Sequence, residues 1–253
     1  MNMIDAGRLR GLENSRSASL WSSDGHFAKN AAVIPENRAS MQITTGDDAC
    51  KALASAWTTI IDECRAVLGG ELHYQAMVYH ALRTAGVPLR QVGMNVKQMI
   101  RDPRTEVFQA LMGTRHEDYR AGVEPIPDVV LFNEGVGGDW RRRNAEATLK
   151  AMLLAIEIKA SERDRRRLTF AEISWDIRKM AAQREEVSVR YGHRFIPVMM
   201  VIDVAPQENE RMRRHDMTRC CDLASDLEVD WYYVGPKEET RPRRWHYPVV
   251  GDA

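Results

Sequence analysis

The chain has 253 residues, 44% hydrophobic and 28% charged, enough apolar material to bury a sizeable core in one large domain or one domain with appendages. Its 36 Lys and Arg balance 36 Asp and Glu, so a globally basic binder is excluded and any contact with nucleic acid must use a local positive patch. No apolar run approaches the roughly 18 residues of a membrane span, and no charged-then-apolar leader opens the chain. The expectation is a soluble, cytoplasmic protein with no membrane partner. The four cysteines, Cys50, Cys64, Cys220 and Cys221, make no Cys-x-x-Cys pair and read as reduced thiols rather than zinc ligands.

Residues 1 to about 45 are rich in Ser, Asn, Gly and Arg and weakly periodic, which predicts a polar, poorly ordered arm ahead of a domain over 46–253. From Asp47, Leu53, Trp57, Ile60, Ile61, Cys64 and Leu68 recur at helical steps until Gly69-Gly70. A second helix is predicted from Glu71 to about Ala85, with Leu72, Ala76, Tyr79 and Leu82 as its stripe, stopped by Gly86 and Pro88. Leu89 to Val96 alternates like a strand. An inserted helix is predicted near 102–119, with Pro103 at its first turn. Ile126–Phe132 and Leu153–Ile158 are apolar strand-like runs, joined by a link that carries glycines at 135, 137 and 138. Phe170 to about Val189 has helical spacing. Phe195–Val204 reads as a strand, about Glu208 to Leu227 as a polar helix, and Asp230–Val234 as a last strand. Strands in hairpin-like succession that later alternate with helices predict an α/β domain with a mixed central sheet and helices on both faces.

The residues that carry chemistry sit on the two middle runs, Ile126-Pro127-Asp128-Val129-Val130-Leu131 and Leu154-Ala155-Ile156-Glu157-Ile158-Lys159. Strand alternation puts Glu157 and Lys159 on one face and turns Ile158 into the core. An acid in so apolar a run is costly to bury unless it is paired or bound to a cation. If the two strands are neighbours, Asp128 joins them in a cluster of two acids and one lysine. Such a set suits phosphodiester hydrolysis. Carboxylates hold a hard cation such as Mg²⁺, and a nearby lysine orients water or stabilises developing charge.

Pro127-Asp128, followed 29 positions after Asp128 by Glu157-Ile158-Lys159, resembles the motif of the PD-(D/E)xK nuclease superfamily, whose members include restriction endonucleases, Holliday-junction resolvases and repair nucleases. The resemblance covers roughly residues 63 to 235. It implies a restriction-endonuclease-like core and a Mg²⁺- or Mn²⁺-dependent nuclease acting on DNA in restriction, defence or repair. Asp128, Glu157 and the Ile158 carbonyl would be the metal ligands, and Lys159 would position or activate the water. Glu71, on the helix before the first core strand, would hold a second metal or the lysine. Asp176-Ile177-Arg178-Lys179 is similar to the family's polar helix, so Lys179 or Gln183, one turn on, would touch phosphate. The inserted helix departs from the family's minimal pattern. A homodimer or a targeting partner protein would direct the cut.

Basic residues surround the motif. From Asp139 to Arg167 there are nine Lys and Arg against five Asp and Glu, a local net of +4. Arg141, Arg142 and Arg143 lie between the motif strands. Arg163, Arg165, Arg166 and Arg167 follow Lys159, and Arg241, Arg243 and Arg244 with Trp245 form a third group. Such contacts position nucleic acid without reading its sequence. The rival expectation is a non-catalytic nucleic-acid-binding or assembly subunit on the same fold.

Overall fold

A computed structural model of the chain describes residues 41–113, 122–162 and 166–242. Its centre is a six-stranded sheet in the order β1 (Val92–Met94), β2 (Val129–Phe132), β3 (Met152–Ala160), β4 (Ile196–Ile202), β5 (Asp230–Val234) and β6 (Glu239–Thr240). β1, β2 and β3 pair antiparallel, β3, β4 and β5 parallel, and β6 antiparallel to β5. Parallel neighbours need crossovers. Helix α5 (Phe170–Tyr191) carries the chain from β3 to β4, and α6 (Arg214–Asp226) from β4 to β5. The class is therefore α/β with a mixed sheet.

Helices α1 (Gly46–Ala66) and α2 (Glu71–Thr84) cover one face, packing Leu53, Trp57, Ile60 and Val78 with Leu154, Ile156 and Ile158 of β3. On the other face Ile173 and Ile177 of α5 and Cys220 of α6 meet Met199 and Val201 of β4. Short helices α3 (Glu106–Gly113) and α4 (Ala145–Ala151) extend that layer through Phe108 and Leu149, beside Val130 and Ala155. Each full burial of such a side chain stabilises the fold by roughly 1.5–3 kcal/mol. Capping boxes start both long helices. The Thr45 hydroxyl accepts from the Asp48 N–H at 3.2 Å while Asp48 takes the Thr45 N–H at 3.0 Å, and Thr169 and Glu172 repeat the exchange at α5.

Several predicted boundaries move, each for a local reason. The domain starts before residue 46, because Ile43 is fully buried and its carbonyl accepts from Gln91 Nε2 at 2.5 Å; the rest of the predicted arm, residues 1–40, lies outside the described residues. The predicted strand 89–96 shrinks to β1 behind a 3-10 turn at Leu89–Gln91, and Asn95 ends it in the left-handed region at φ 53°. The inserted helix begins only at Glu106, because the Arg104 and Thr105 N–H groups donate to the Glu186 carboxylate instead of to water; its predicted continuation over 114–119 lies outside the described residues.

α2 buries Tyr74, Gln75, Val78, Ala81 and Leu82, and leaves Leu72 72% exposed. The stripe is rotated from the predicted one because polar Gln75 turns inward to a buried partner. The polar helix begins at Arg214, not 208, because Asp203 draws the Met212 N–H into a bond of 2.8 Å. α4 and the edge strand β6 were not predicted. None of the four cysteines forms a disulfide, and three are buried. Among the described residues no helix is long and apolar enough to cross a membrane.

Candidate active site

The antiparallel register pairs Val129 with Ile156, and one step earlier the Asp128 N–H donates to the Ile156 carbonyl at 3.0 Å. Asp128 and Val129 thus both face Ile156, a one-residue slip in the register, and the charge of Glu157 acts on the Asp128 carboxylate. That carboxylate accepts from the Ile158 N–H at 2.6 Å and from Gln75 Nε2 at 2.7 Å. Ile158 is fully buried against α1 and α2, so Glu157 and Lys159 stand on the opposite face, toward α5. Lys159 Nζ is 3.2 Å from Glu157 Oε1, 3.4 Å from Glu71 Oε1 and 3.5 Å from Asp176 Oδ2. Glu71 arrives from the first turn of α2. That helix has no side chain of its own as cap, and the Glu71 N–H donates to Glu162 Oε2 at 2.8 Å, just past β3. Gly70 leaves room for this bond, since a Cβ there would sit 2.6 Å from the same oxygen.

Four carboxylates, Glu71, Asp128, Glu157 and Asp176, thus face two lysines, Lys159 and Lys179, the latter 2.5 Å from Asp176. The electrostatics record the excess of negative charge. Burial, followed by the neighbouring charge of Glu157, pushes Asp128 from 3.8 up to about 8, against the Ile158 N–H that favours the anion. Burial also raises Glu157, against the pull of Lys159. For Lys159 burial works against the charge, but Glu157, Asp176, Glu71 and Asp128 outweigh it and raise the pKa.

This donor set fits one hard divalent cation. Asp128 and Glu157 supply two carboxylates, and such an excess of buried negative charge is relieved by added positive charge. A backbone oxygen lies beside them. Ile158 presents its N–H to Asp128, and both polar groups of one strand residue point to the same edge. Proline at 127 has no N–H to offer β3 ahead of Asp128. Two carboxylates, one carbonyl and water match the ligand preference of Mg²⁺. Among the described residues, no group of three or more His, Cys, Asp or Glu side chains is placed to hold a metal ion.

No family model, curated protein or solved structure matches the chain.

Two clefts open onto the cluster. A main cleft of about 730 Å³ is lined by Glu71, Lys159, Arg166, Arg167, Trp175 and Asp176. A side cleft of about 260 Å³ is lined by Pro127, Glu157, Asp176, Lys179 and Gln183. Lys179 and Gln183 therefore both reach the site's surroundings. Gln183, however, is buried and spends its amide on Gln98 Oε1 at 2.5 Å, so it braces the wall of the cleft. Arg166 lines the main cleft, where it pairs with Glu172 at 3.5 Å. Arg165, with Arg163, Arg243, Arg244 and Trp245, lies outside the described residues.

The arginine triplet does not border the acids as expected. The link that holds it leaves β2 after Phe132, at the end opposite Asp128. Arg141 is held by Asp139 at 2.6 Å, and neither it nor Arg143 lines either of these two clefts. Arg142 alone turns back, to an ion pair with Glu124 on the rim of the side cleft.

Sequence reasoning passed over two members of the site. Asp176, inside the polar pattern of α5, contacts both lysines. Gln75 orients Asp128 while its own Oε1 accepts from Asn95 Nδ2 at 3.0 Å. Its signal was available, because Gln75 follows Glu71 by four residues, one helical turn on the same side.

Proposed function

We propose that the protein is a Mg²⁺- or Mn²⁺-dependent nuclease on a restriction-endonuclease-like core, hydrolysing phosphodiester bonds, most readily in DNA. The observation that carries this reading is the closeness of Asp128, Glu157 and Lys159, with Lys159 on the main cleft and Glu157 on the side cleft. Asp128, Glu157 and the Ile158 carbonyl would hold the ion. When bound, it supplies Lewis-acid stabilisation of the phosphate and lowers the pKa of water.

The chain's own residues supply the rest. Lys159, kept charged by four surrounding acids, orients the attacking water and offsets charge on the phosphate oxygens. Glu71 and Asp176 fix the ammonium between them, so that it cannot rotate away from Glu157. Gln75 and the Ile158 N–H lock the Asp128 carboxylate in one plane. Arg166 and Arg167, on the wall of the main cleft, neutralise substrate phosphates. The balanced net charge of the whole chain fits targeting by a second copy or another protein.

The test is incubation with plasmid and single-stranded DNA in Mg²⁺, in Mn²⁺ and in EDTA, beside Asp128→Ala and Lys159→Ala. Cutting should require metal and vanish in both variants while their melting curves stay cooperative. Binding without cutting under any metal would instead favour a non-catalytic subunit on the same fold. The self-satisfied hydrogen bonds of Asp128 are the feature that fits that rival.

A further inference from the structure

Trp175 is 47% exposed, on the turn of α5 that also presents Asp176 to Lys159. Its helical neighbours Ile173 and Ile177 are fully buried against the sheet, so the indole is turned outward, onto the main cleft. A single exposed apolar side chain is ordinary on a protein surface. This one is a tryptophan, among the most buried types on average, and it shares a cleft wall with the reactive lysine.

The basic surface continues from there. Arg167 lines both the main cleft and a second cleft of about 740 Å³ bounded by Arg211, Arg213, Arg214 and Tyr233. Two acids, Glu208 and Glu238, also reach it. Among the described residues none of Arg167, Arg213 and Arg214 is in an ion pair, whereas Arg65, Arg142, Arg184 and Arg190 all are. α6 begins in this second cleft with Arg213 as N-cap and no capping side chain. The free N–H groups of its first turn add to the positive potential made by the arginines.

We infer that the substrate crosses this site as an unpaired strand, with one base stacked on Trp175 and the backbone running past Arg167 into the arginine cleft at the start of α6. The inference rests on the nuclease reading and names the form of substrate. A basic groove that tracks phosphates beside an aromatic platform is the pattern of single-strand binding, because every base offers a π-face. The volume of the main cleft, about 730 Å³, is that of a small-ligand pocket. That is room enough for a splayed nucleotide.

The test reads binding alone. The full chain in EDTA is titrated into a labelled oligonucleotide of mixed sequence, as a single strand and as its blunt duplex, and followed by fluorescence anisotropy. The single strand should bind about tenfold tighter than the duplex. Trp175→Ala should lose about tenfold for the single strand while Trp175→Phe keeps most of the affinity. Arg213→Ala with Arg214→Ala should reduce the slope of log affinity against log salt by about 1.4, roughly 0.7 for each lost phosphate contact. Equal or tighter duplex binding, an unaffected Trp175→Ala, an unchanged salt slope, or no binding of either form overturns the inference. Single-strand binding of this kind with no cutting in Mg²⁺ or Mn²⁺ would leave the strand path standing and remove the nuclease reading.

Discussion

The carboxylate of Asp176 lies 3.5 Å from the ammonium of Lys159, although one residue belongs to α5 and the other to β3. The same carboxylate is 2.5 Å from Lys179, so a single acid holds two like charges together. Asp176→Asn removes that common partner and lets the lysines repel. On the nuclease reading the rate at saturating metal should fall about 10- to 100-fold, the usual cost of losing a partner that orients a site group. Thermal melting should stay cooperative, since the carboxamide fits the same space. Wild-type turnover in Asp176→Asn would show that Lys159 is held well enough by Glu71 and Glu157.

Gln75 carries a second prediction. It is buried, donates to Asp128 and accepts from Asn95. Gln75→Leu keeps the volume but leaves Asp128 Oδ1 and Asn95 Nδ2 without their partner. The stability loss should be about 1–3 kcal/mol. Mg²⁺ affinity by titration calorimetry should drop about 10- to 100-fold. A destabilised variant with unchanged metal affinity would make Gln75 a packing residue only.

The acid pair and the lysine were legible because their arrangement is local. Alternation along β3 sets Glu157 and Lys159 on one face, and a hairpin-type link makes β2 its neighbour. Asp176 was half legible. It falls inside the stripe Ile173, Asp176, Ile177, Met180 that α5 buries, and an acid within an apolar stripe needs a partner. Only the rotation of α5 on the sheet decides that it, and not Lys179 or Gln183, meets Lys159. Gln75 shares its side of α2 with Glu71, but the acid it turns inward to meet is 53 residues away, and spacing within α2 does not name that partner. β1 and β6 are strands because of their partners, and at three and two residues they carry almost no periodicity of their own. The arginine triplet was misplaced for a similar reason, because proximity in sequence to β3 is not proximity to its far end.

The pH dependence of stability follows from Asp128. Its pKa in the folded protein is about 8 against an ordinary 3.8. Between these values the folded state keeps a proton that the unfolded chain has released, so stability falls as pH rises. Its contribution is complete below the unfolded value and is lost as pH passes the folded one. In EDTA the melting temperature should decline from about pH 5 to about pH 8, and Asp128→Asn should flatten that decline. Mg²⁺ should restore stability most at the alkaline end, where the carboxylate is free of its proton. An equally steep decline in Asp128→Asn would assign it to another group.

The cap of α2 gives a prediction that separates positioning from catalysis. Glu162 accepts the Glu71 N–H and lies over Gly70. Glu162→Ala should cost about 1 kcal/mol, the ordinary value of a lost N-cap, and should loosen Glu71 from Lys159 without touching Asp128 or Glu157. Gly70→Ala should do the same from the other side, by pushing the Glu162 carboxylate away. Denaturant titration of both variants checks the pair. A loss in one and none in the other would mean that the bond across the two elements is not what holds the start of α2.

Glu186 should be the most sensitive buried charge remote from the site. It is fully buried, and its carboxylate accepts the Arg104 N–H at 2.9 Å and the Thr105 N–H at 2.9 Å while pairing with Arg190 at 2.7 Å. Burial opposes the anion, but those donors outweigh it and hold the pKa below the ordinary 4.5. The sign is opposite to that of Asp128. Here the stabilisation is present above the unfolded value and is lost as pH falls through the folded one. Glu186→Ala leaves two N–H groups and the Arg190 Nε without an acceptor and should cost about 3–5 kcal/mol. Glu186→Gln keeps an acceptor but not the charge, and should cost about 1–3 kcal/mol. Because these bonds anchor the segment ahead of α3, and Phe108 and Leu111 of α3 line the side cleft, the milder variant should also speed amide exchange in α3 while leaving β3 protected. Uniform acceleration across the sheet would instead make Glu186 a support of the whole fold.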